Sequence, residues 1–227
     1  MTAIAKDWMP WHDNRKARNR PSASKPIGKY RSVRATRSIF AAKQQRAIGK
    51  GKPMITREIV VQRFSAISYK AFRDVLAALH PVIGHPDIAA FTRNMSRAKT
   101  YAELENIVEN AIGSSGFMEF ARFDIGAVLR KRSGAQSPQI LRIVLGNPLI
   151  MSQMARYVPD AASYAPVTIL IDERPDGVHL SYDRMAGYLA PYGNLEALRV
   201  ARELDAKVEA LLMDVARSDA MPLGQTA

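Results

Sequence analysis

A long amphipathic segment near the C-terminus restricts the fold more than any other feature of this chain. Aliphatic side chains recur at helical spacing over residues 195–215, and charged side chains occupy the opposite side. Asn194 stands where an N-cap is needed, and the periodicity continues for more than about five turns. Such a helix must bury its apolar side, so we predict that it lies on a sheet or against a partner subunit.

Five shorter segments have the composition of β-strands, with β-branched residues or alternating apolar and polar side chains. They cover residues 58–64, 117–123, 140–145, 166–172 and 178–182. Helical patterns near residues 68–79, 87–97, 100–112 and 148–157 lie between them, and residues 174–177 form a hairpin turn. We therefore predict an α+β fold, in which helices pack on an antiparallel sheet.

The excess positive charge of the chain lies entirely in its first 52 residues. That segment has fourteen lysines and arginines against two aspartates, which accounts for the whole formal net charge of +12. It contains too few large apolar side chains to form a core. We predict a basic, disordered arm over residues 1–53, one α+β domain over residues 54–218 and a disordered tail over residues 219–227, with Met54 as an alternative start.

The arm allows several interpretations. As a flexible polycation, the arm can bind nucleic-acid phosphates or anionic membranes. The other two interpretations are a targeting segment and a solvated tail without a function of its own. The absence of cysteine excludes disulfides and thiolate chemistry, and no apolar run reaches membrane-spanning length. We expect a cytoplasmic protein with no membrane span. The candidate nucleic-acid contacts are Arg15, Lys16, Arg18, Arg20, Arg31, Arg34 and Arg37.

If the arm binds nucleic acid, affinity must depend steeply on salt, because each neutralised phosphate releases a counterion. We expect the dissociation constant of the full chain for duplex DNA to rise about 1,000-fold or more between about 50 and 200 mM salt. Fluorescence anisotropy at graded ionic strength measures this slope. A constant that barely changes would remove the nucleic-acid hypothesis.

Four motifs occur in an order and spacing typical of one family. Residues 120–126 read FARFDIG, residues 144–154 read VLGNPLIMSQM, residues 166–170 read PVTIL, and residues 177–183 read GVHLSYD. From residue 55 to about residue 215 the chain resembles the domain-of-unknown-function 302 family, in its longer bacterial subgroup. The resemblance implies a compact domain of the TATA-box-binding-protein-like, helix-grip type that tends to form homodimers. It implies no reaction.

One position departs from the family pattern. The family usually has an Asp-His pair at the end of the first internal strand, whereas this chain has Asp124 followed by Ile125. We therefore assign no catalytic residue, no metal ligand and no cofactor, and we expect a protein without enzymatic activity. Asp124 remains of interest because it follows an apolar strand, where we expect it to be partly buried.

The candidate ligand-binding residues are Asp124, Gly146, Asn147, Pro148, Ser181, Tyr182 and Asp183. A Gly-Asn-Pro sequence at a strand-to-helix junction serves the turn and the cap, and it also presents free N–H groups to an anion. We predict that a cavity between sheet and helices binds a small, largely apolar molecule or a protein partner. The alternatives are nucleic-acid association through the arm and a hydrolase or lyase that uses Asp124 with a second carboxylate.

Overall fold

The computed structural model describes residues 54–133 and 137–217, which form five strands and eight α-helices. The strands are β1 (Arg63–Ser68), β2 (Met118–Asp124), β3 (Ile140–Gly146), β4 (Val167–Arg174) and β5 (Gly177–Asp183). The helices are α1 (Phe72–Leu79), α2 (Ile88–Arg97), α3 (Tyr101–Glu109), α4 (Ile125–Ser133), α5 (Pro148–Ala155), α6 (Ala161–Tyr164), α7 (Met185–Leu189) and α8 (Leu195–Ala216). The predicted α+β class is confirmed.

The strands form one antiparallel sheet in the order β1-β5-β4-β3-β2. Strands β2 to β5 follow one another as a meander, and β1 pairs with the outer side of β5. A bulge between Glu119 and Ala121 shifts the register of β2 against β3. The meander brings residues that are far apart in sequence into cross-strand rows.

Helices cover one face of the sheet, and α8 is the longest of the helices on that face. Tyr182, Ile169 and Ile143 form one row across this face, and all three side chains are buried. Helix α8 adds Ala201, Leu204, Val208 and Leu212 to the same core. Asn194 caps α8 by accepting the N–H of Ala197 at 2.9 Å, so the predicted C-terminal amphipathic helix is confirmed.

The opposite face of the sheet, here called the open face, is mixed in character. Its central row runs from Ser65 through Ser181, Leu170 and Arg142 to Phe123, which is 48% exposed. Successive side chains of a strand point to opposite faces of the sheet, so the residues between the buried core residues lie on this face. The central row of the open face therefore runs from two hydroxyl groups, of which Ser181 is buried, through an aliphatic and a charged side chain to an aromatic ring.

Two local predictions were wrong. Strand β1 begins at Arg63 rather than near residue 58, because residues 58–62 do not pair with β5. The first helix does not begin at residue 68, because Ser68 ends β1 and accepts the N–H of Lys70 at 3.3 Å, whereas Ala71 precedes helix α1.

The predicted arm and the predicted tail lie outside the described residues. The same holds for the candidate nucleic-acid contacts Arg15, Lys16, Arg18, Arg20, Arg31, Arg34 and Arg37. Within residues 54–133 and 137–217, no helix is both long enough and apolar enough to cross a bilayer.

We expect the substitution Leu180→Ala to lower the free energy of unfolding by about 2–5 kcal/mol, because it leaves a cavity beneath α8. Leu180 is fully buried in β5. The matched control is Leu195→Ala, since Leu195 is 78% exposed at the start of α8 and should change stability by less than about 0.5 kcal/mol. Urea unfolding measures both. Equal losses in the two variants would contradict the burial pattern.

Candidate ligand-binding site

A cleft of about 480 Å³ lies on the open face where β4 begins and β5 ends. Val144, Thr168 and Leu170 form its floor, and residues of α6 and α7 border it. Three charged side chains line it, namely Arg63, Asp183 and Arg142. The cleft thus combines an aliphatic floor with charged groups at its sides, and we call it the open-face cleft.

Two of those charged groups neutralise each other. Arg63 donates from Nε and Nη2 to the two oxygens of Asp183, at 2.7 and 2.8 Å. Hydrogen bonding from Arg63 lowers the pKa of Asp183. This pair crosses from β1 to β5, so it also holds the edge strand in register.

The third charged group, Arg142, has no acidic partner among the described residues. Its guanidinium lies 3.5 Å from the Thr168 hydroxyl and 5.8 Å from the centre of the Phe123 ring. An arginine stays protonated throughout the ordinary pH range. The open-face cleft therefore carries one uncompensated positive charge.

Two stacked tyrosines border the open-face cleft. The rings of Tyr164 and Tyr188 lie 4.7 Å apart with an angle of 18° between their planes. The Tyr164 hydroxyl is 3.0 Å from that of Tyr192, which raises the pKa of Tyr192 to about 12. The stack and the hydroxyl pair fix the orientation of Tyr164, so this wall is rigid and flat.

The side chain of Tyr182 lies on the helix-covered face of the sheet, and its hydroxyl is hydrogen-bonded within the protein. That hydroxyl donates to Oδ1 of Asp205 at 2.7 Å, on the helix side of the sheet. Asp205 also accepts the N–H groups of Met185 and Ala186, at 2.7 and 3.0 Å. The hydroxyl of Tyr182 is thus paired within the protein, and its role as a polar contact for a ligand stays a prediction.

Burial acts on both members of this pair. Loss of hydration raises the pKa of Asp205, and burial together with the neighbouring carboxylate raises the pKa of Tyr182. Asp205 is 6% exposed and is held by three donors. The cluster ties α8, β5 and α7 together, and α7 carries Tyr188.

The predicted Gly-Asn-Pro residues line a different space. A pocket of about 120 Å³, here called the apolar pocket, lies between the sheet, α5 and α8. Its lining is Phe120, Gly146, Asn147, Pro148, Ile150, Met151, Met154, Ala165, Pro166, Val167 and Leu204. Asn147 caps α5 by accepting the Leu149 N–H at 2.9 Å and donates to the Gly116 carbonyl at 3.1 Å. The oxygen of the asparagine amide and one of its N–H groups are thus used within the protein.

Asp124 lies in neither space, and its expected burial was wrong. Its side chain is 53% exposed, accepts the Ala127 N–H at 2.7 Å and pairs with Arg130 at 2.9 Å. The backbone hydrogen bond from Ala127 is the main cause that lowers its pKa. Asp124 thus serves as the cap and charge partner of α4.

Three further carboxylates near strand ends, which could serve as the second carboxylate of the hydrolase or lyase alternative, also have partners of their own. Asp172 pairs with Arg174, and Asp176 pairs with His179 at 2.9 Å. Glu173 accepts the backbone N–H of Gln139. This arrangement gives no support to the hydrolase or lyase alternative.

The predicted candidates therefore separate into two groups. Ser181, Tyr182 and Asp183 line the open-face cleft, whereas Gly146, Asn147 and Pro148 line the apolar pocket. The two spaces share the wall residues Ala165, Pro166 and Val167.

Sequence reasoning missed Arg142, Arg63 and the two stacked tyrosines. Arg142 could have been recognised in the sequence, because it is a charged residue in an otherwise aliphatic strand and so indicates an open sheet face. Asp205 could also have been recognised, because it is a single acidic residue on the apolar side of α8. No sequence pattern indicates Tyr164 and Tyr188, since their rings meet only in the folded structure.

The fold and site define an α+β domain with one covered and one open sheet face. The sequence model of the family described as "Domain of unknown function DUF302" matches residues 91–215, more than half of the chain. The protein belongs to this family. The match begins at Phe91, so β1 and α1 lie before it.

The chain is also similar to a solved structure, the crystal structure of the uncharacterized conserved protein DUF302 from Bacillus stearothermophilus. The TM-score is 0.48 at 8% sequence identity, and the likeness covers 68% of this chain and 98% of that one. No curated protein matches the chain.

We expect Arg63→Gln to lower stability by less than about 1 kcal/mol near neutral pH, and to have no effect in strong acid. The pKa of Asp183 lies below its ordinary value of 3.8 in the folded protein, so the pair stabilises the fold above about pH 4. That stabilisation is lost as pH falls through the folded pKa.

Urea unfolding of both proteins at a series of pH values measures this difference. Arg73→Gln is the control, because Arg73 pairs with Asp74 at 3.2 Å in a largely solvated position. A gap between Arg63→Gln and the unsubstituted protein that stays constant down to strong acid would contradict the assignment to Asp183.

Proposed function

We propose that this domain is a binding module for a small organic anion, held in the open-face cleft. The single observation that supports it is Arg142, an arginine without an acidic partner among the described residues, at the side of a 480 Å³ cleft. Clefts of about 300–1,000 Å³ are the usual size for small-molecule sites. An uncompensated guanidinium in such a space favours a carboxylate or phosphate.

The charge balance of the cleft favours a ligand with one negative charge. Arg63 and Asp183 compensate each other, which leaves the charge of Arg142 alone. A monoanion restores neutrality, whereas a dianion would leave a net negative charge close to Asp183.

The remaining lining favours an apolar body on that anion. Val144 and Leu170 offer an aliphatic floor, and the Tyr164–Tyr188 stack offers a flat aromatic wall. Burial of such surface adds roughly 25 cal/mol per Å² to binding. The predicted largely apolar ligand thus fits this cleft better than the apolar pocket, whose 120 Å³ alone is below the usual size.

Homodimerisation and nucleic-acid association stay predictions. The arm lies outside the described residues, and a single chain does not reveal a partner copy. The binding module that we propose is argued from residues of the described chain alone.

We expect Arg142→Gln to weaken binding of organic monoanions about 10- to 100-fold, since it removes a charge-assisted hydrogen bond. A panel of aromatic and aliphatic carboxylates, screened by thermal stabilisation and then by calorimetry, provides the ligands. The matched control is Arg202→Gln, which removes the same charge from an exposed position on α8.

Equal affinity of both variants for every binding carboxylate would contradict the proposed role of Arg142. A panel in which no anion stabilises the protein would contradict the proposed function itself. A native mass spectrum of the purified protein gives an independent reading, because a retained ligand adds its mass to the chain.

A further inference from the structure

The lining of the apolar pocket is almost entirely apolar. Phe120, Ile150 and Met151 are among the apolar residues that line it. The amide of its one polar side chain, Asn147, bonds the backbone of α5 and the Gly116 carbonyl. A molecule that enters this pocket must therefore be hydrocarbon at that end.

The apolar pocket and the open-face cleft are neighbours. Ala165, Pro166 and Val167 line both spaces, so one stretch of chain forms the wall between them. Pro166 is exposed, whereas Val167 is 4% exposed and turns toward the helices. A ligand that extends past Pro166 therefore has one end near the charged groups of the open-face cleft and the other end in the apolar pocket.

We propose that the ligand is an aliphatic monocarboxylate whose head group meets Arg142 and whose tail enters the apolar pocket past Pro166. This inference rests on the proposed function of the open-face cleft. A carboxylate head matches the single excess charge, and an unbranched chain matches the narrow pocket between Phe120 and Pro166.

The length of β3 sets the length of that chain. Arg142 and Gly146 are four residues apart on the strand, and four residues of extended strand span roughly 13 Å. An aliphatic chain of about ten to twelve carbons covers this distance between the guanidinium and the pocket. Shorter acids bind through the head alone.

Gly146 offers a small change that narrows the pocket. A methyl group at this position would lie 3.1 Å from Cβ of Pro166 and 3.6 Å from Cε2 of Phe120, within the apolar lining. Gly146→Ala therefore obstructs the tail, and because the new methyl group presses on Pro166, binding of the short acids measures any change in the cleft. Met151→Phe obstructs the same pocket from α5, and it serves as the second variant if the first fails to fold.

The test measures straight-chain carboxylates from butanoate to tetradecanoate against the full chain by calorimetry. We expect affinity to change little for acids too short to reach the pocket, and then to rise about fourfold for each further methylene that enters it. In Gly146→Ala or Met151→Phe, the ratio of the dodecanoate to the butanoate affinity should fall at least tenfold. Arg142→Gln should weaken acids of every length.

The outcomes separate the two proposals. Binding that depends on Arg142 but not on chain length overturns the tail assignment and leaves the proposed function standing. A chain-length effect that persists in both pocket variants also overturns it, because the tail then lies elsewhere. Failure of every carboxylate to bind overturns both proposals.

Discussion

The buried carboxylate of Asp205 holds together the parts of the structure that the site depends on. It accepts hydrogen bonds from Tyr182 in β5 and from the backbone of Met185 and Ala186 at the start of α7. A buried carboxylate is costly unless donors compensate it, and three do so here. The position of α7 is thereby fixed against α8, and with it Tyr188, which stacks on Tyr164 at the open-face cleft.

The sheet gives its two faces different tasks. One face packs against α8 and supplies the core, so its residues are aliphatic or, in Tyr182, satisfied by Asp205. The other face is free of that requirement and can carry Arg63, Arg142 and Asp183. Because successive side chains of a strand alternate between faces, a single β5 contributes to the core and to the cleft at once. Neighbouring residues of one strand therefore build the core and line the cleft.

Much of the fold could be predicted from the sequence, since it depends on local patterns. The period of α8, the caps Asn194 and Asn147 and the hairpin at residues 174–177 all act within a few residues. The start of β1 was misplaced because only pairing with β5 decides where that strand begins. The candidate site was predicted in part. Ser181 and Asp183 line the open-face cleft, but the expected burial of Asp124 failed because Arg130 and the N–H of Ala127 hold it at the surface.

The α+β class, the long C-terminal helix and the concentration of positive charge in the first 52 residues follow from periodicity and composition, which express these properties directly. Which arginine has no acidic partner among the described residues depends on how the strands pair. Arg63 and Arg142 look alike in sequence, yet β1 places Arg63 opposite Asp183 while β3 places Arg142 opposite Leu170 and Phe123. The physical reason is that charge compensation depends on cross-strand neighbours, and strand pairing brings those together from distant parts of the chain.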